Sequence, residues 1–272
     1  MRIIDAGDFG LVNDPVATEQ TISKQLFGKQ SEIKTDYVYV SMPLAWSINQ
    51  YGIPQTQHQI DRICASFENE KLFFVCQHIL VKNLNFHGNL VFTPHATVMD
   101  SFVPIPHYSC TYDTNLSKEW SERKYTFSFM GSFATHPVRR KLAQELSARE
   151  DCLIIDTGKW HFEGNAEKQK ENSKKYSEIL GDTKYSLCPR GTGPSTIRLW
   201  ESLAMGSVPV ILSDFLKMPL EMESDPMWLQ VKENFDNTSF DDIANNNEQI
   251  DNSSYFTMFS NENLYKSIVN SL

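Results

Sequence analysis

The sequence lacks any long hydrophobic run. No stretch of the 272 residues approaches the roughly 20 consecutive apolar residues that a membrane-spanning helix needs. The opening residues, MRIIDAGDFG, also lack the apolar segment of a secretory signal. We therefore expect neither a signal peptide nor a transmembrane segment. With 40% hydrophobic and 22% charged residues, the composition is that of a globular chain with one large domain or two small ones.

Paired cysteines are also missing. The five cysteines are irregularly spaced and include no Cys-x-x-Cys motif. This pattern indicates free, mostly buried thiols of a reducing compartment. The residues concerned are Cys64, Cys76, Cys110, Cys152 and Cys188.

The sequence has fewer basic than acidic residues. The chain has 25 Lys and Arg against 34 Asp and Glu, and its net charge is −9. A general nucleic-acid-binding role is therefore excluded. An acidic ligand would need a local basic patch, for which the candidates are Arg139, Arg140, Lys141, Arg190 and Arg198.

Short β-rich runs alternate with helical patterns, which predicts an α/β fold with mainly parallel sheets. The segment 102–121 has little periodicity, so we take it as a linker between an N-terminal half, 1–115, and a C-terminal half, 116–272. Ligands of such halves bind at the carboxyl ends of the strands. The predicted strands are 36–41, 72–77, 89–93, 125–130, 152–156, 185–188 and 208–212. The predicted helices are 57–69, 137–149, 195–205 and 261–272, with 163–181 either a helix or a loop.

One stretch, CPRGTGPSTIRLWESLAMGSVPVIL at 188–212, combines a glycine turn with a helix start. Gly191 allows the backbone to turn tightly and to approach a ligand closely. Ser195 or Thr196 is expected to cap the following helix. The free N–H groups of the first helical turn, aided by the helix dipole, form an anion-binding site.

Three charged side chains of this stretch suggest what the anion is. Arg190 and Arg198 carry forked donors suited to phosphate oxygens. Glu201 lies three residues after Arg198 on the same helix face, and its carboxylate suits paired hydroxyls such as those of ribose. Together they describe a nucleotide site. The alternative is a glycine turn and helix cap with a structural Arg–Glu pair.

The same stretch resembles the donor-binding segment of exostosin-like glycosyltransferases, glycosyltransferase family 47. Two upstream segments are similar to that family as well: FSFMGSFATHPVRRKLAQEL at 127–146 and FTPHATVMDSFVPIPH at 92–107. The likeness covers roughly residues 70–215. The matching positions in the first stretch are Cys188, Pro189, Arg190, Gly191, Gly193, Arg198, Leu199, Glu201, Leu203, Gly206, Pro209, Val210 and Ile211.

The resemblance implies a GT-B fold, in which two Rossmann-like halves face a central cleft and the C-terminal half binds most of the donor. It implies inverting transfer from a nucleotide-diphosphate sugar without a metal or other cofactor. The sequence agrees in having no Asp-x-Asp, the carboxylate pair that holds a metal in the other main glycosyltransferase fold. Compared with eukaryotic members the chain looks like a compact, bacterial or viral type working in the cytoplasm, unless it is a domain of a longer protein.

Further donor contacts are expected from neighbouring segments. Arg139 or Arg140, at the start of a predicted helix, could reach the same diphosphate, although both could equally be solvated helix charges. Tyr185 lies on the strand leading to the Pro-Arg-Gly turn, near where a nucleotide base would lie. Trp160 and His161 follow another strand and could face the donor sugar, or simply pack.

Inverting transfer also needs a base for the acceptor hydroxyl, which we expect from the N-terminal half. His78 follows a strand at the position where the family often has His-Asp, but here the sequence reads Gln-His-Ile. Asp100 is the second candidate. The rivals are His95, Asp5 and Asp8.

The leading interpretation is a transferase that moves a sugar from a UDP-sugar to a glycan or glycoprotein acceptor. The alternatives are a fucosyltransferase-like GT-B enzyme that uses a GDP-sugar and a catalytically inactive nucleotide-sugar-binding protein.

Overall fold

The structure, a computed structural model, describes residues 1–7, 9, 17–158, 166–219, 222, 227–252 and 254–272. The described strands are β1 (Arg2–Asp5), β2 (Tyr37–Ser41), β3 (Lys71–Val75), β4 (Leu90–Thr93), β5 (Val103–Pro104), β6 (Tyr125–Gly131), β7 (Cys152–Asp156), β8 (Thr183–Pro189), β9 (Val208–Leu212) and β10 (Leu229–Gln230). The described α-helices are α1 (Thr18–Lys29), α2 (Leu44–Ser66), α3 (Pro137–Leu146), α4 (Ala166–Gly181), α5 (Ile197–Ala204), α6 (Asp241–Asn246), α7 (Tyr255–Met258) and α8 (Leu264–Val269). Among the described helices, none is long and apolar enough to cross a bilayer.

The chain divides into two compact units. The N-terminal unit comprises Met1–Tyr108, Phe215–Leu220 and Met258–Leu272, and the C-terminal unit comprises Ser109–Asp214 and Glu221–Thr257. The predicted C-terminal half, 116–272, included all of the residues after 257. The structure assigns 258–272 to the N-terminal unit, because α8 packs against α1 there.

The N-terminal unit is built on a parallel sheet with strand order β1-β2-β3-β4-β5. Successive side chains of a strand point to opposite faces. Val38, Val40, Leu72 and Phe74 accordingly pack on one face with α2. Tyr39, Phe73 and Val75 pack on the other with α1 and α8. Both faces are covered, which explains why these strands read as nearly continuous apolar runs.

Two features of this unit differ from the sequence prediction. Helix α2 begins at Leu44, well before the predicted start at 57, and its two helical parts meet at Gly52, whose φ is +76°. Glycine adopts this backbone conformation without steric cost, and Pro54 then starts the second part. The predicted linker also contains β5, which extends the sheet by pairing with β4.

The C-terminal unit holds the second parallel sheet, with strand order β7-β6-β8-β9-β10. Helix α3 packs Val138, Leu142 and Leu146 on one face. Helix α4 packs Tyr176, Ile179 and Leu180 in a separate cluster with Met130 of β6. The α/β class with two Rossmann-like halves is thereby confirmed, and 166–181 is a helix.

Arg123 ties several segments of the C-terminal unit together. Its guanidinium donates to the main-chain carbonyls of Thr183 and Met205, over 2.7 and 2.9 Å, and to the hydroxyls of Ser117 and Ser207, each over 3.0 Å. The turn it meets contains Gly206, at φ +67°. A Cβ on that glycine would lie 3.1 Å from Arg123 Nη2. Arg123 thus fixes the turn between α5 and β9.

Candidate functional site

The topology of the C-terminal sheet marks one place on its edge. From β6 the chain goes to β7 on one side and then crosses to β8 on the other. Open parallel sheets bind ligands outside the carboxyl ends of their strands at such a switch point. The segments located there follow Gly131 of β6 and Pro189 of β8.

The segment after β6 makes a sharp turn into α3. Ser132 Oγ accepts from the Ala134 amide over 3.3 Å, and His136 Nδ1 accepts from the Val138 amide over 3.3 Å as the N-cap of α3. Pro137 occupies the first helical position, where it lacks no needed donor. Burial, followed by the charge of Arg190, lowers the pKa of His136. A neutral His136 therefore lies beside cationic side chains.

Arg139, in the first turn of α3, joins the two segments of the switch point. It donates from Nε to the Arg190 carbonyl over 3.0 Å, from Nη1 to the Ser132 carbonyl over 3.1 Å and from Nη2 to the Pro189 carbonyl over 3.3 Å. Burial and the nearby charge of Arg198 lower the pKa of Arg139 to about 10. The guanidinium stays charged at neutral pH and holds both loop backbones.

Arg198 of α5 lies beside it on a shared aromatic ring. The guanidinium carbons of Arg139 and Arg198 are 5.4 and 4.8 Å from the centroid of the Phe129 ring, and Arg198 is 4.7 Å from that of Tyr176. Arg198 also donates to the carbonyl of Met130. In the described part of the chain neither arginine forms an ion pair with a carboxylate. Cation–π contacts and carbonyls therefore hold two like charges together, an arrangement that an anion would stabilise.

Arg190 is the third arginine at this place. Its amide donates to Leu212 O over 3.0 Å, which continues the pairing of β8 with β9. Its Nη1 lies 3.9 Å from Glu233 Oε1, and its Nε is buried without a hydrogen-bond partner among the described residues. A buried donor without a partner is costly. Arg190 therefore has donors available for a ligand.

The predicted glycine turn has a steric basis. A Cβ at Gly191 would lie 3.1 Å from Arg139 Nη2 and 3.6 Å from Thr135 Oγ1. The absence of a side chain lets the loop after β8 meet the loop after β6. Ser195 is buried, and Thr196 occupies the N-cap position of α5. The expected cap by Thr196 is not formed, since its side chain makes no capping hydrogen bond to the helix.

Glu201 has different partners from those the sequence suggested. Its side chain is 1% exposed, and Oε1 accepts from the amides of Cys110 and Thr111 over 3.2 and 2.8 Å. Oε2 accepts from the Tyr176 hydroxyl over 2.6 Å. Burial raises the pKa of Glu201 and these donors lower it, with a net upward shift. In this structure both carboxylate oxygens of Glu201 thus accept hydrogen bonds from internal donors, and its predicted contact with ribose hydroxyls stays a prediction.

Two other predicted donor contacts, Tyr185 and Arg140, have different surroundings. Tyr185 is a core residue of β8, with its ring against Trp120 and Phe127 and its hydroxyl donating to Glu248 O over 2.8 Å. Arg140 is exposed on α3. Trp160, His161 and Asp8 lie outside the described residues.

The candidate bases are in the N-terminal unit. His78 follows β3, with Nε2 3.1 Å from Asn49 Oδ1 and Nδ1 accepting from the Leu80 amide over 3.1 Å. Asp100 accepts from the Thr97 hydroxyl over 2.6 Å and from the Phe102 amide over 3.0 Å, so it orders its own loop. Asp5 is the last residue of β1.

His95 and His107 form a buried pair after β4 and β5. They are 8% and 4% exposed, their ring centroids are 5.0 Å apart, and both Nδ1 atoms lack a partner among the described residues. Burial lowers the pKa of His95 to about 4 and lowers that of His107 as well. Both rings are therefore neutral at physiological pH.

Sequence reasoning missed several contributors to the switch point. Phe129 and Tyr176 look like ordinary core aromatics, and Glu233 is 43 residues from Arg190. His136 carried one signal, since it precedes the proline that starts α3. In the described part of the chain, no group of three or more His, Cys, Asp or Glu side chains could hold a metal ion.

Parts of the chain are similar to known proteins. Similarity is found with an exostosin-1 homolog of Caenorhabditis elegans (27% identity, 47% of this chain and 38% of that protein) and with ribitol-5-phosphate xylosyltransferase 1 of Danio rerio (29%, 33% and 20%). A third relative is the probable glucuronoxylan glucuronosyltransferase IRX7 of Arabidopsis thaliana (30%, 36% and 21%). The matches thus span well under half the length of these relatives.

Among solved structures, the S. aureus MnaA–UDP co-structure has a TM-score of 0.33 and 12% identity over 96% of this chain and 76% of that one, too weak a likeness to carry an argument. The family model covers more of the chain than the named relatives do. Residues 35–227, more than half of the chain and including Arg139, Arg190 and Arg198, match the exostosin GT47 domain. The chain therefore belongs to the exostosin GT47 family.

Proposed function

We propose that this chain is a glycosyltransferase that moves a sugar from a nucleoside-diphosphate sugar, with UDP as the nucleotide, to a hydroxyl group of a glycan acceptor with inversion. One observation carries the proposal. Arg139, Arg190 and Arg198 meet at the switch point of the C-terminal sheet. Main-chain carbonyls and the Phe129 ring hold Arg139 and Arg198 in place there. A diphosphate is the ligand that such a cluster suits.

The relatives support the same class of reaction. Two of them are named as a xylosyltransferase and a probable glucuronosyltransferase, so their names describe transfer of a sugar. An alternative within enzymes is a GDP-sugar donor. The third possibility is a protein that binds the nucleotide sugar and does not transfer it.

The chemistry follows from where charge develops. The acceptor oxygen forms a bond to the anomeric carbon while the bond from that carbon to the diphosphate oxygen breaks. The diphosphate leaves with the electron pair, and a base takes the hydroxyl proton. Three guanidinium groups, two of them fixed by main-chain carbonyls, would stabilise the departing charge without a metal. His78 and Asp100 are the candidate bases, and each is hydrogen-bonded within its own surroundings before an acceptor binds.

A thermal-unfolding panel tests this proposal. We expect UDP and a UDP-sugar to raise Tm in the presence of EDTA, more than GDP does, because a bound ligand stabilises the folded state by mass action. Stabilisation that needs Mn²⁺ would contradict the metal-free site. Absence of stabilisation by any nucleotide would contradict the donor site itself.

Arginine variants link that binding to the switch point. Arg190→Ala and Arg198→Ala should each lower kcat/KM for donor hydrolysis or transfer by about 10²-fold or more, the scale of a lost charge-assisted phosphate contact. Arg140→Ala is the matched control on an exposed cation and should change it less than about twofold. Donor binding without hydrolysis or transfer would favour the non-catalytic alternative.

A further inference from the structure

Glu233 belongs to no motif of the sequence, and the fold brings its carboxylate to the switch point. It follows β10, while Arg190 follows β8. The Glu233 amide donates to Asp214 Oδ1 over 3.1 Å, and Glu233 Oε1 accepts from the Asp214 amide over 3.0 Å. This reciprocal pair joins the loops after β9 and β10. The carboxylate of Glu233 is therefore held in place by main-chain groups.

The contact between Glu233 and Arg190 leaves both groups with unused capacity. The distance of 3.9 Å from Nη1 to Oε1 is too long for a hydrogen bond, and both side chains are 21% exposed. Arg190 Nε has no partner, and Glu233 Oε2 accepts no hydrogen bond from the described residues. An unused donor and an unused acceptor thus belong to two neighbouring side chains, each of which is partly exposed.

An arginine beside a carboxylate suits a nucleotide sugar, which carries both phosphate oxygens and hydroxyl groups. The donors of Arg190 suit phosphate oxygens, whereas a carboxylate repels them and accepts instead from hydroxyl groups. Glu201 is poorly placed to supply that acceptor, because it is 1% exposed and both of its oxygens already accept internal hydrogen bonds. Glu233 has no such constraint.

We propose that Glu233 accepts hydrogen bonds from hydroxyl groups of the nucleotide sugar whose diphosphate Arg190 binds. The inference rests on the proposed function and assigns a second residue to the same ligand. The hydroxyls can come from the ribose or from the transferred sugar, which share the same chemistry.

Calorimetric titration of Glu233→Gln with three ligands tests this. The ligands are pyrophosphate, UDP and UDP-xylose, all without metal. We expect the affinity for UDP-xylose to fall about tenfold, since a charged hydrogen bond is lost. Pyrophosphate has no hydroxyl groups, so its affinity should stay within about twofold or rise as a nearby negative charge disappears. An equal loss for UDP would identify the ribose, and a loss for UDP-xylose alone would identify the transferred sugar.

Two controls make each result decisive. Asp242→Asn removes an exposed negative charge from the same unit and should leave all three affinities within about twofold. Glu233→Asp keeps the carboxylate and should recover part of the loss. Equal weakening of pyrophosphate and UDP-xylose in Glu233→Gln would mean that Glu233 only orients Arg190, and unchanged affinities would remove it from the site; either result overturns the inference. A wild-type protein that binds none of the ligands would contradict the proposed function instead.

Discussion

Arg139 donates to the main-chain carbonyl of Arg190 over 3.0 Å, so one cation of the switch point positions the loop that carries another. Arg139 is thus both a source of charge and a backbone support. Lysine at this position would keep the charge but could not make three directed hydrogen bonds from a planar group.

We therefore expect Arg139→Lys to weaken the binding of UDP and of pyrophosphate by about tenfold or more, an effect comparable to one lost charge-assisted hydrogen bond. Isothermal titration measures both affinities. Arg140→Lys, on the exposed side of the same helix, is the control and should bind like the wild type. Equal affinities for both variants would show that the fork geometry of Arg139 is not needed.

The Tyr176–Glu201 hydrogen bond should matter for stability more than for ligand binding. Glu201→Gln and Tyr176→Phe should each reduce the free energy of unfolding by about 1–3 kcal/mol, because each leaves a buried partner incompletely bonded. Urea denaturation of the two single variants and the double variant gives their coupling energy. A selective loss of UDP affinity in Glu201→Gln, with unchanged stability and pyrophosphate affinity, would restore the ribose role.

Acid should destabilise the N-terminal unit through His95. Burial lowers its pKa from 6.5 to about 4, so the folded state keeps this ring neutral while the unfolded chain binds a proton. The contribution of His95 is complete above pH 6.5 and declines as the pH falls towards 4, by about 3 kcal/mol in total.

Unfolding experiments between pH 7 and 4 would check this. His95→Gln should lose less stability over that range than the wild type does, whereas His58→Gln, on an exposed position of α2, should follow the wild type. Parallel curves for wild type and His95→Gln would refute the pKa shift as the cause.

Arg123 should be among the most sensitive positions of the C-terminal unit. Arg123→Ala removes hydrogen bonds to three carbonyls and two hydroxyls, including those at the turn that contains Gly206, and we expect a loss of about 3 kcal/mol or more in unfolding free energy. Lys124→Ala, its exposed neighbour, should cost less than about 1 kcal/mol. Chemical denaturation of both variants is the measurement, and similar losses would contradict the clamp.

The strands that are buried on both faces were predictable from the sequence. Runs such as YVYVS and VPVIL are almost entirely apolar, as parallel strands covered on both faces should be. Strand β1 escaped notice because RIID is short and charged at both ends. Strand β5 has only two residues and includes a proline. Strand β5 is recognised by its pairing with β4, which no local sequence pattern indicates.

The candidate site was predictable to a similar degree. Turn chemistry marked Arg190 and Gly191, and a proline at a helix start marked Arg139. Helical spacing correctly placed Glu201 one turn from Arg198, but spacing says nothing about which other segment packs there. Tyr176 and the amides of residues 110 and 111 take the carboxylate instead. The proximity of Glu233 to Arg190 follows only from the strand order of the folded sheet.

The tail of the chain affects how the protein is made. Leu264 and Ile268 complete an apolar cluster with Ile22 and Leu26, and the Tyr265 amide donates to Gln25 Oε1 over 3.0 Å. A ribosome delivers these tail residues after all those of the C-terminal unit. The N-terminal unit is synthesised first, so part of its apolar surface stays uncovered until residue 268 has been translated.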